Sequence, residues 1–185
     1  MGKASRFSNE TERVACFVAC LNEALKERGA KLVVTGGFGV ELFTGASYRT
    51  ADVDLKVEGP YEVMEELERA LEESGERFAR EWAIKGLTKA IDLLPPSGEE
   101  ILEIETPCGT LYVERPERLL VRYLAAWKFW ESKEDRDKAF ALAYALEDLI
   151  DWSKVEELSK KESVHDKLEE LREWLSSLKS SRRGG

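Results

Sequence analysis

Two consecutive glycines, Gly36-Gly37, stand directly after the β-branched run Lys31–Thr35 and directly before a helix-like stretch at 38–43 that ends on Thr44-Gly45. Strand, glycine turn and short helix in that order constrain the fold more than any other feature of the chain. Without Cβ atoms, the turn leaves backbone N–H groups bare at a helix start, where phosphate oxygens bind. Residues 52–57 then alternate polar and apolar with a period of two, which predicts a second strand. On that strand Asp52 and Asp54 share one face, while Val53 and Leu55 take the other. Their Cα atoms lie about 7 Å apart, close enough for both carboxylates to converge on one or two divalent ions. Two like charges side by side without a cation repel and raise a pKa, so the pair argues for bound metal. A metal beside a phosphate cradle suggests nucleotide chemistry.

The rest of the chain supplies a framework for that segment. Residues 10–28 carry Val14, Phe17, Val18, Leu21 and Leu25 at helical spacing, with Gly29 as the stop. Gly59-Pro60 ends the second strand before a helix over Tyr61–Ser74. Residues 77–84 and 88–94 read as two strands joined at Lys85-Gly86, and 101–105 and 110–113 as a hairpin around Pro107-Cys108-Gly109. After Pro116 the stretches 117–130, 133–150 and 164–178 are helical by period and composition. The expected class is α+β, a mixed sheet with flanking helices followed by a helical C-terminal half. The expected division is a sheet domain at 1–114, a helical region at 115–178 packed on it, and a disordered basic tail at 179–185. Asp92, a lone charge in the apolar strand Ala90–Leu94, is the best candidate for a third metal carboxylate. The alternative is that Thr88, Ala90 and Asp92 form the exposed face of an alternating strand.

Composition removes competing chemistries. Of the 185 residues 43% are hydrophobic and 35% charged, a globular balance, and no apolar run approaches the roughly 20 residues needed to span a bilayer. No apolar segment follows the basic residues near Met1, so no secretory signal is read and a cytoplasmic address is expected. Cys16, Cys20 and Cys108 are an odd set without C-x-x-C spacing, from which neither a disulfide framework nor a zinc knuckle is expected; Cys16 and Cys20 read as core packing. With His165 the only histidine, a multi-histidine centre is excluded and any metal here is expected to be a hard cation held by carboxylates.

The pattern G-G-x7-G-x3-R-T-x-D-x-D from Gly36 to Asp54, followed by the apolar-Asp-apolar strand at Asp92, resembles the DNA polymerase β superfamily of nucleotidyltransferases. Gly45 and the Arg49-Thr50 step most resemble its AbiEii-type toxin members and their minimal relatives. The resemblance covers about residues 33–94. It implies a polymerase β-like fold and a magnesium-dependent transfer of a nucleoside monophosphate from a triphosphate to a hydroxyl acceptor. By resemblance Asp52 and Asp54 bind two Mg2+ ions, Asp92 completes the metal set and orients the attacking hydroxyl, and Gly36 and Gly37 contact the triphosphate. Arg49, Thr50 and Lys128 join the nucleotide-binding set, with the run Asp135-Arg136-Asp137-Lys138 near Lys128. Toxin relatives point to an RNA 3′ end, such as that of transfer RNA, as acceptor, and to an antitoxin as partner; a small-molecule or protein hydroxyl stays open. Phe38 departs from the pattern, since relatives commonly carry a small residue there, and this bears on the width of the phosphate pocket.

Several residues admit a second role. Arg49 fits a structural part that holds the D-x-D in place as well as a substrate contact. Lys56, on the face of Asp52 and Asp54, reads as their counter-ion or as a phosphate ligand. Arg115, Arg118 and Arg122 form a basic stripe for a triphosphate or an RNA backbone, or a solvated face balanced by Glu114 and Glu117. Trp127, Trp130 and Trp152 read as inter-helix core or as stacking platforms. Two other function classes compete with the enzyme: a noncatalytic binding module of the same fold in a two-component system, and an acidic helical protein dimerising through Val164, Leu168, Leu171, Trp174, Leu175 and Leu178.

Overall fold

The computed structural model describes residues 9–78, 81–84 and 86–183. The chain divides into two compact units, one of residues Met1–Leu42 and Arg49–Arg115, the other of Phe43–Tyr48 and Pro116–Gly185.

The first unit opens with α1 (Glu10–Leu25), whose first turn is capped by Asn9 Oδ1, an acceptor for the Thr11 N–H at 3.0 Å. A 3-10 turn at Lys26–Arg28 and Gly29 at φ 64° close it. Then come β1 (Lys31–Thr35), α2 (Gly36–Phe43), β2 (Asp52–Glu58), α3 (Tyr61–Ser74), β3 (Gly75–Phe78), β4 (Glu81–Ile84), β5 (Ala90–Leu94), β6 (Ile101–Thr106) and β7 (Gly109–Glu114). One seven-stranded sheet results, in the order β3-β4-β5-β2-β1-β7-β6. It is mixed: β2 pairs parallel with β5 and β1 parallel with β7, and the remaining neighbours are antiparallel.

Strand alternation sorts the two faces. Leu32, Val34, Val53, Leu55, Ile91, Leu111 and Val113 are buried on one of them. Each such side chain contributes about 1.5–3 kcal/mol by leaving water. Helix α1 packs on β1 and β7, and α3 on β3 and β4. The opposite face carries Thr35, Asp52, Asp54, Lys56, Asp92 and Glu114.

Two expectations need correction here. The stretch 77–84 is not one strand: β3 and β4 pair as an antiparallel hairpin, Gly75 with Ile84 and Phe78 with Glu81. The turn residue Lys85 lies outside the described residues. Cys16 and Cys108, expected to be unpaired, are joined by a disulfide across 92 positions, with Cα atoms 5.3 Å apart. Spacing rules fail at such a separation because α1 and the β6–β7 hairpin meet only in the fold.

The second unit is helical: α4 (Pro116–Trp130), α5 (Lys133–Ala145), α6 (Trp152–Lys161) and α7 (His165–Arg183). Residues 133–150 do not form one helix. After Ala145 the chain turns on Leu146, whose carbonyl accepts from both Leu149 and Ile150 N–H. Asp151 then caps the unexpected α6 by accepting from the Ser153 and Lys154 N–H groups at 3.0 and 3.1 Å. Helix α7 continues across the start of the stretch expected to be a disordered tail, as far as Arg183. Of the proposed dimer seam, Val164, Leu168, Leu171 and Leu175 are buried within this unit, leaving Trp174 and Leu178 partly exposed. Trp127 stacks obliquely on Trp174 at 5.5 Å, whereas Trp130 is exposed rather than part of a core. No described helix is long and apolar enough to cross a membrane.

Candidate active site

The sheet register brings the separated carboxylates together. Asp54 on β2 is paired with Asp92 on β5 on one side and with Thr35 on β1 on the other; Asp92 is paired in turn with Glu81 on β4. Residues directly opposed in a ladder share a face, so Thr35, Asp54, Asp92 and Glu81 form a row across four strands. Asp52 lies two residues before Asp54 on the same face, beside Ala90. Strand β5 alternates, with Ile91 and Leu93 buried and Ala90 and Asp92 half-buried on the other face, and the register sets that face of Asp92 beside Asp54. Glu81 was not legible as a member, because β4 was expected as the end of a longer strand.

The glycine pair is fitted to these carboxylates. Gly36 has φ 59°, and a Cβ built there would overlap the Asp54 carboxylate. At Gly37 a Cβ would sit 2.8 Å from Thr50 Oγ1. The two glycines therefore allow the start of α2 to press against Asp54 and Thr50. Phe38 is fully buried, with the Lys89 ammonium 5.8 Å from its ring centre, so its bulk goes to the core.

Thr50 holds the other acid: its hydroxyl donates to Asp52 Oδ1 at 2.5 Å. Thr50 is itself fixed by Glu41, a fully buried residue of α2, whose Oε2 accepts from the Thr50 N–H at 3.0 Å and from Lys89 Nζ at 2.9 Å. Lys89 also donates to the Thr50 carbonyl. Glu41 Oε1 accepts from Thr11 Oγ1 at 2.6 Å and faces Arg49 at 3.4 Å. Burial pushes the Glu41 carboxyl up, but the hydrogen bonds from Thr11, Lys89 and the Thr50 backbone outweigh it and hold the group below its ordinary range. Arg49 thus braces the D-x-D segment through Glu41 and Thr11, donating to Thr11 Oγ1 at 3.1 Å.

A second buried pair lies along the same face. Glu114 Oε2 accepts from Thr35 Oγ1 at 2.5 Å and from Lys56 Nζ at 2.9 Å. Lys56 is therefore the buried partner of Glu114 rather than the counter-ion of Asp52 and Asp54. Glu41, Lys89 and Glu114 were missed in the sequence. The one signal available for Glu41 was an acid inside the otherwise apolar helix GGFGVELF.

In the second unit, Lys128 donates to the Ser163 carbonyl at 2.8 Å and to Asp166 Oδ1 at 2.6 Å, tying α4 to the start of α7. The expected arginine stripe is divided among partners: Arg118 bonds Glu162, and Arg115, in the first unit, faces Glu100 at 3.5 Å. Glu117 is buried and accepts from the Asp151 N–H at 3.0 Å.

Residues 18–92 match the family model of aminoglycoside-2''-adenylyltransferase, a span that contains the glycine pair, Glu41, the D-x-D and Asp92. No curated protein matches the chain. Among solved structures, an antigenic nucleotidyltransferase-like protein from Paracoccidioides brasiliensis is similar at 12% identity and a TM-score of 0.62, over 91% of this chain and 93% of that one. The antibiotic-resistance factor ANT(2'')-Ia in solution is similar at 18% identity and a TM-score of 0.51, over 96% of this chain and 100% of its own. The same factor in complex with adenylyl-2''-tobramycin is similar at 18% identity and a TM-score of 0.53, covering 82% and 97%. The likeness to these structures shows that the chain has the nucleotidyltransferase fold, and the family model matched over residues 18–92 is that of a nucleotidyltransferase.

Proposed function

We propose that this protein transfers a nucleoside monophosphate, with ATP as donor, to a hydroxyl of a small cationic acceptor of the aminoglycoside class. The observation that carries the reading is the row of Asp54 and Asp92 on neighbouring strands, with Asp52 on the same face and Gly36 pressed against Asp54. The donor set is made of carboxylate oxygens alone, which fits a hard divalent cation such as Mg2+. Asp52, Asp54 and Asp92 would hold one or two such ions, which supply neutralisation of triphosphate charge and activation of the acceptor hydroxyl.

The chain's own groups do the positioning. Thr50 fixes one oxygen of Asp52, Glu41 and Lys89 fix the backbone of Thr50, and the start of α2 offers N–H groups without a Cβ where phosphate oxygens would bind. Pre-set dipoles of this kind lower the barrier because they need not reorganise as charge moves from the α-phosphorus to the departing pyrophosphate.

Charge supports the choice of acceptor. A net −9 repels a polyanionic RNA and attracts a polycationic amino sugar, and the matched family and one solved neighbour carry such an acceptor in their names. The toxin-like reading, with an RNA 3′ end as acceptor, competes directly with this.

The test incubates the purified chain with Mg2+, each labelled NTP, a panel of aminoglycosides including tobramycin, and total RNA. Label from ATP should move to an aminoglycoside and vanish in the Asp52→Ala, Asp54→Ala double variant. Transfer to RNA instead would overturn the acceptor. Failure to bind any NTP in a metal-dependent way, measured by calorimetry, would overturn the enzyme and favour a noncatalytic module of the same fold.

A further inference from the structure

We propose that Cys16, Cys20 and Cys108 form, once the Cys16–Cys108 bond is reduced, a three-thiolate site for a soft d10 cation such as Zn2+, with the disulfide as its metal-free oxidised form. The three Sγ atoms lie within 4.8 Å of one another. Thiolates around zinc, with Zn–S near 2.3 Å, stand about 3.8 Å apart in a tetrahedron, so once the Cys16–Cys108 bond is reduced those two sulfurs must part by about 2 Å for the cluster to close on an ion. Cys16 and Cys20, at i and i+4, project from one face of α1. Cys108 sits at the tip of the β6–β7 hairpin.

The cup is held from both sides. Asn22 Nδ2 donates to the Thr110 carbonyl at 3.2 Å and Glu23 Oε1 accepts from the Thr110 N–H at 3.0 Å, fixing the hairpin to α1. Within the turn, Thr106 Oγ1 donates to the Gly109 carbonyl at 2.7 Å and accepts from the Cys108 N–H at 3.2 Å. Cys20 Sγ lies 3.5 Å from the Cys108 carbonyl oxygen, outside the disulfide yet in contact with it. A cavity of about 310 Å³ reaches the cluster at Cys16 and is otherwise lined by Ala15, Thr106, Pro107 and the acids Glu12 and Glu105. The two carboxylates attract a cation to the thiol cluster.

Chemically the switch is balanced. A dithiol reductant gives two electrons and two protons to the S–S bond and closes to its own disulfide; the cation then displaces the thiol protons into water as it binds. Thiolates favour soft cations, so the site is distinct in chemistry from the all-oxygen set at Asp52, Asp54 and Asp92.

The full chain, reduced with a dithiol that is then removed under argon, is titrated with Cd2+ and followed by ultraviolet absorption, with Zn2+ as competitor. One Cd2+ per chain should bind with a thiolate-to-metal charge-transfer band, Zn2+ should displace it, and the oxidised chain should show no band. Cys20→Ser keeps the residues of the disulfide and should weaken binding by at least about 100-fold, since loss of an outer-shell partner alone costs 10–100-fold. The Asp52→Asn, Asp54→Asn variant should keep the band, which separates this site from the nucleotide site. Absence of the band in the reduced chain, equal affinity in Cys20→Ser, or a disulfide that the dithiol leaves intact until the chain is denatured would each overturn the proposal.

Discussion

The two units treat ion pairs in opposite ways. In the first, beside ordinary surface pairs, Lys89–Glu41 and Lys56–Glu114 are nearly sealed from water, their side chains 3% and 0%, and 8% and 0%, exposed. In the second, Lys160–Glu156, Arg172–Glu169 and Lys167–Glu170 decorate helix surfaces, and stability rests on apolar stripes such as Val155, Leu168 and Leu171. A buried ion pair rarely stabilises more than an apolar pair of the same volume, while breaking it is costly. Its presence behind the D-x-D therefore points to geometry: the first unit retains buried charge where a strand segment and a helix start must be held in one arrangement.

Breaking the inner pair is the strongest way to test that contrast. Lys89→Ala leaves Glu41 buried with fewer donors and should cost about 3–5 kcal/mol in urea denaturation. Two glycines sharpen the picture further, because Gly36 and Gly45 both have φ 59° but only Gly36 has a neighbour, the Asp54 carboxylate. Gly45→Ala should cost about 1–2 kcal/mol for the left-handed backbone alone. Gly36→Ala should cost more than that and lower nucleotide transfer by about 100-fold or more as Asp54 is displaced; equal effects on stability and activity from the two variants would show that the contact is irrelevant.

pH should separate the units by direction. Glu41 is held below its ordinary 4.5, so its contribution is complete above that value and is lost as pH falls through the lower folded pKa. In the second unit, burial pushes Lys138 down, but Glu134, Tyr48 and Asp135 outweigh it and hold the lysine well above 10.5. That contribution is present below 10.5 and is lost as pH rises through the folded pKa. Glu41→Gln should flatten the acid limb of a stability-versus-pH curve, and Lys138→Met the alkaline limb. A smaller effect is expected from Thr50→Val, which removes the hydroxyl held on Asp52: about 1 kcal/mol in stability, with a larger fall in kcat than rise in KM for the nucleotide. Least of all, Lys160→Ala on the surface of α6 should change stability by no more than about 0.5 kcal/mol.

Much of the candidate site was readable before any coordinates because its signals are local. The glycine pair, the i, i+2 spacing of Asp52 and Asp54 and the isolated acid in the strand Ala90–Leu94 all lie within single elements, where steric and periodic rules act over a few residues. Thr50 beside the D-x-D was readable as part of the motif, but not as the donor that fixes Asp52. Where the reading failed, the missing information was long-range. Lys56 faces a residue 58 positions away, and Lys89 reaches back 48 positions to Glu41. The helix break at Leu146 and the cap at Asp151 were hidden by a composition that stays helix-favourable through residues 133–150.

From the sequence alone, then, came the α+β class, the glycine turn and the choice of three candidate carboxylates, since backbone freedom and side-chain period are properties of neighbours in the chain. Tertiary structure decided which strand stands beside which, and so the in-register meeting of Asp54 with Asp92, the two buried ion pairs, and the joining of Cys16 to Cys108. The physical reason is the same for all of them. Pairing energies between groups distant in the chain exist only after the entropy of closing the intervening loop has been overcome by burial of the common core, and nothing in a local window encodes that closure.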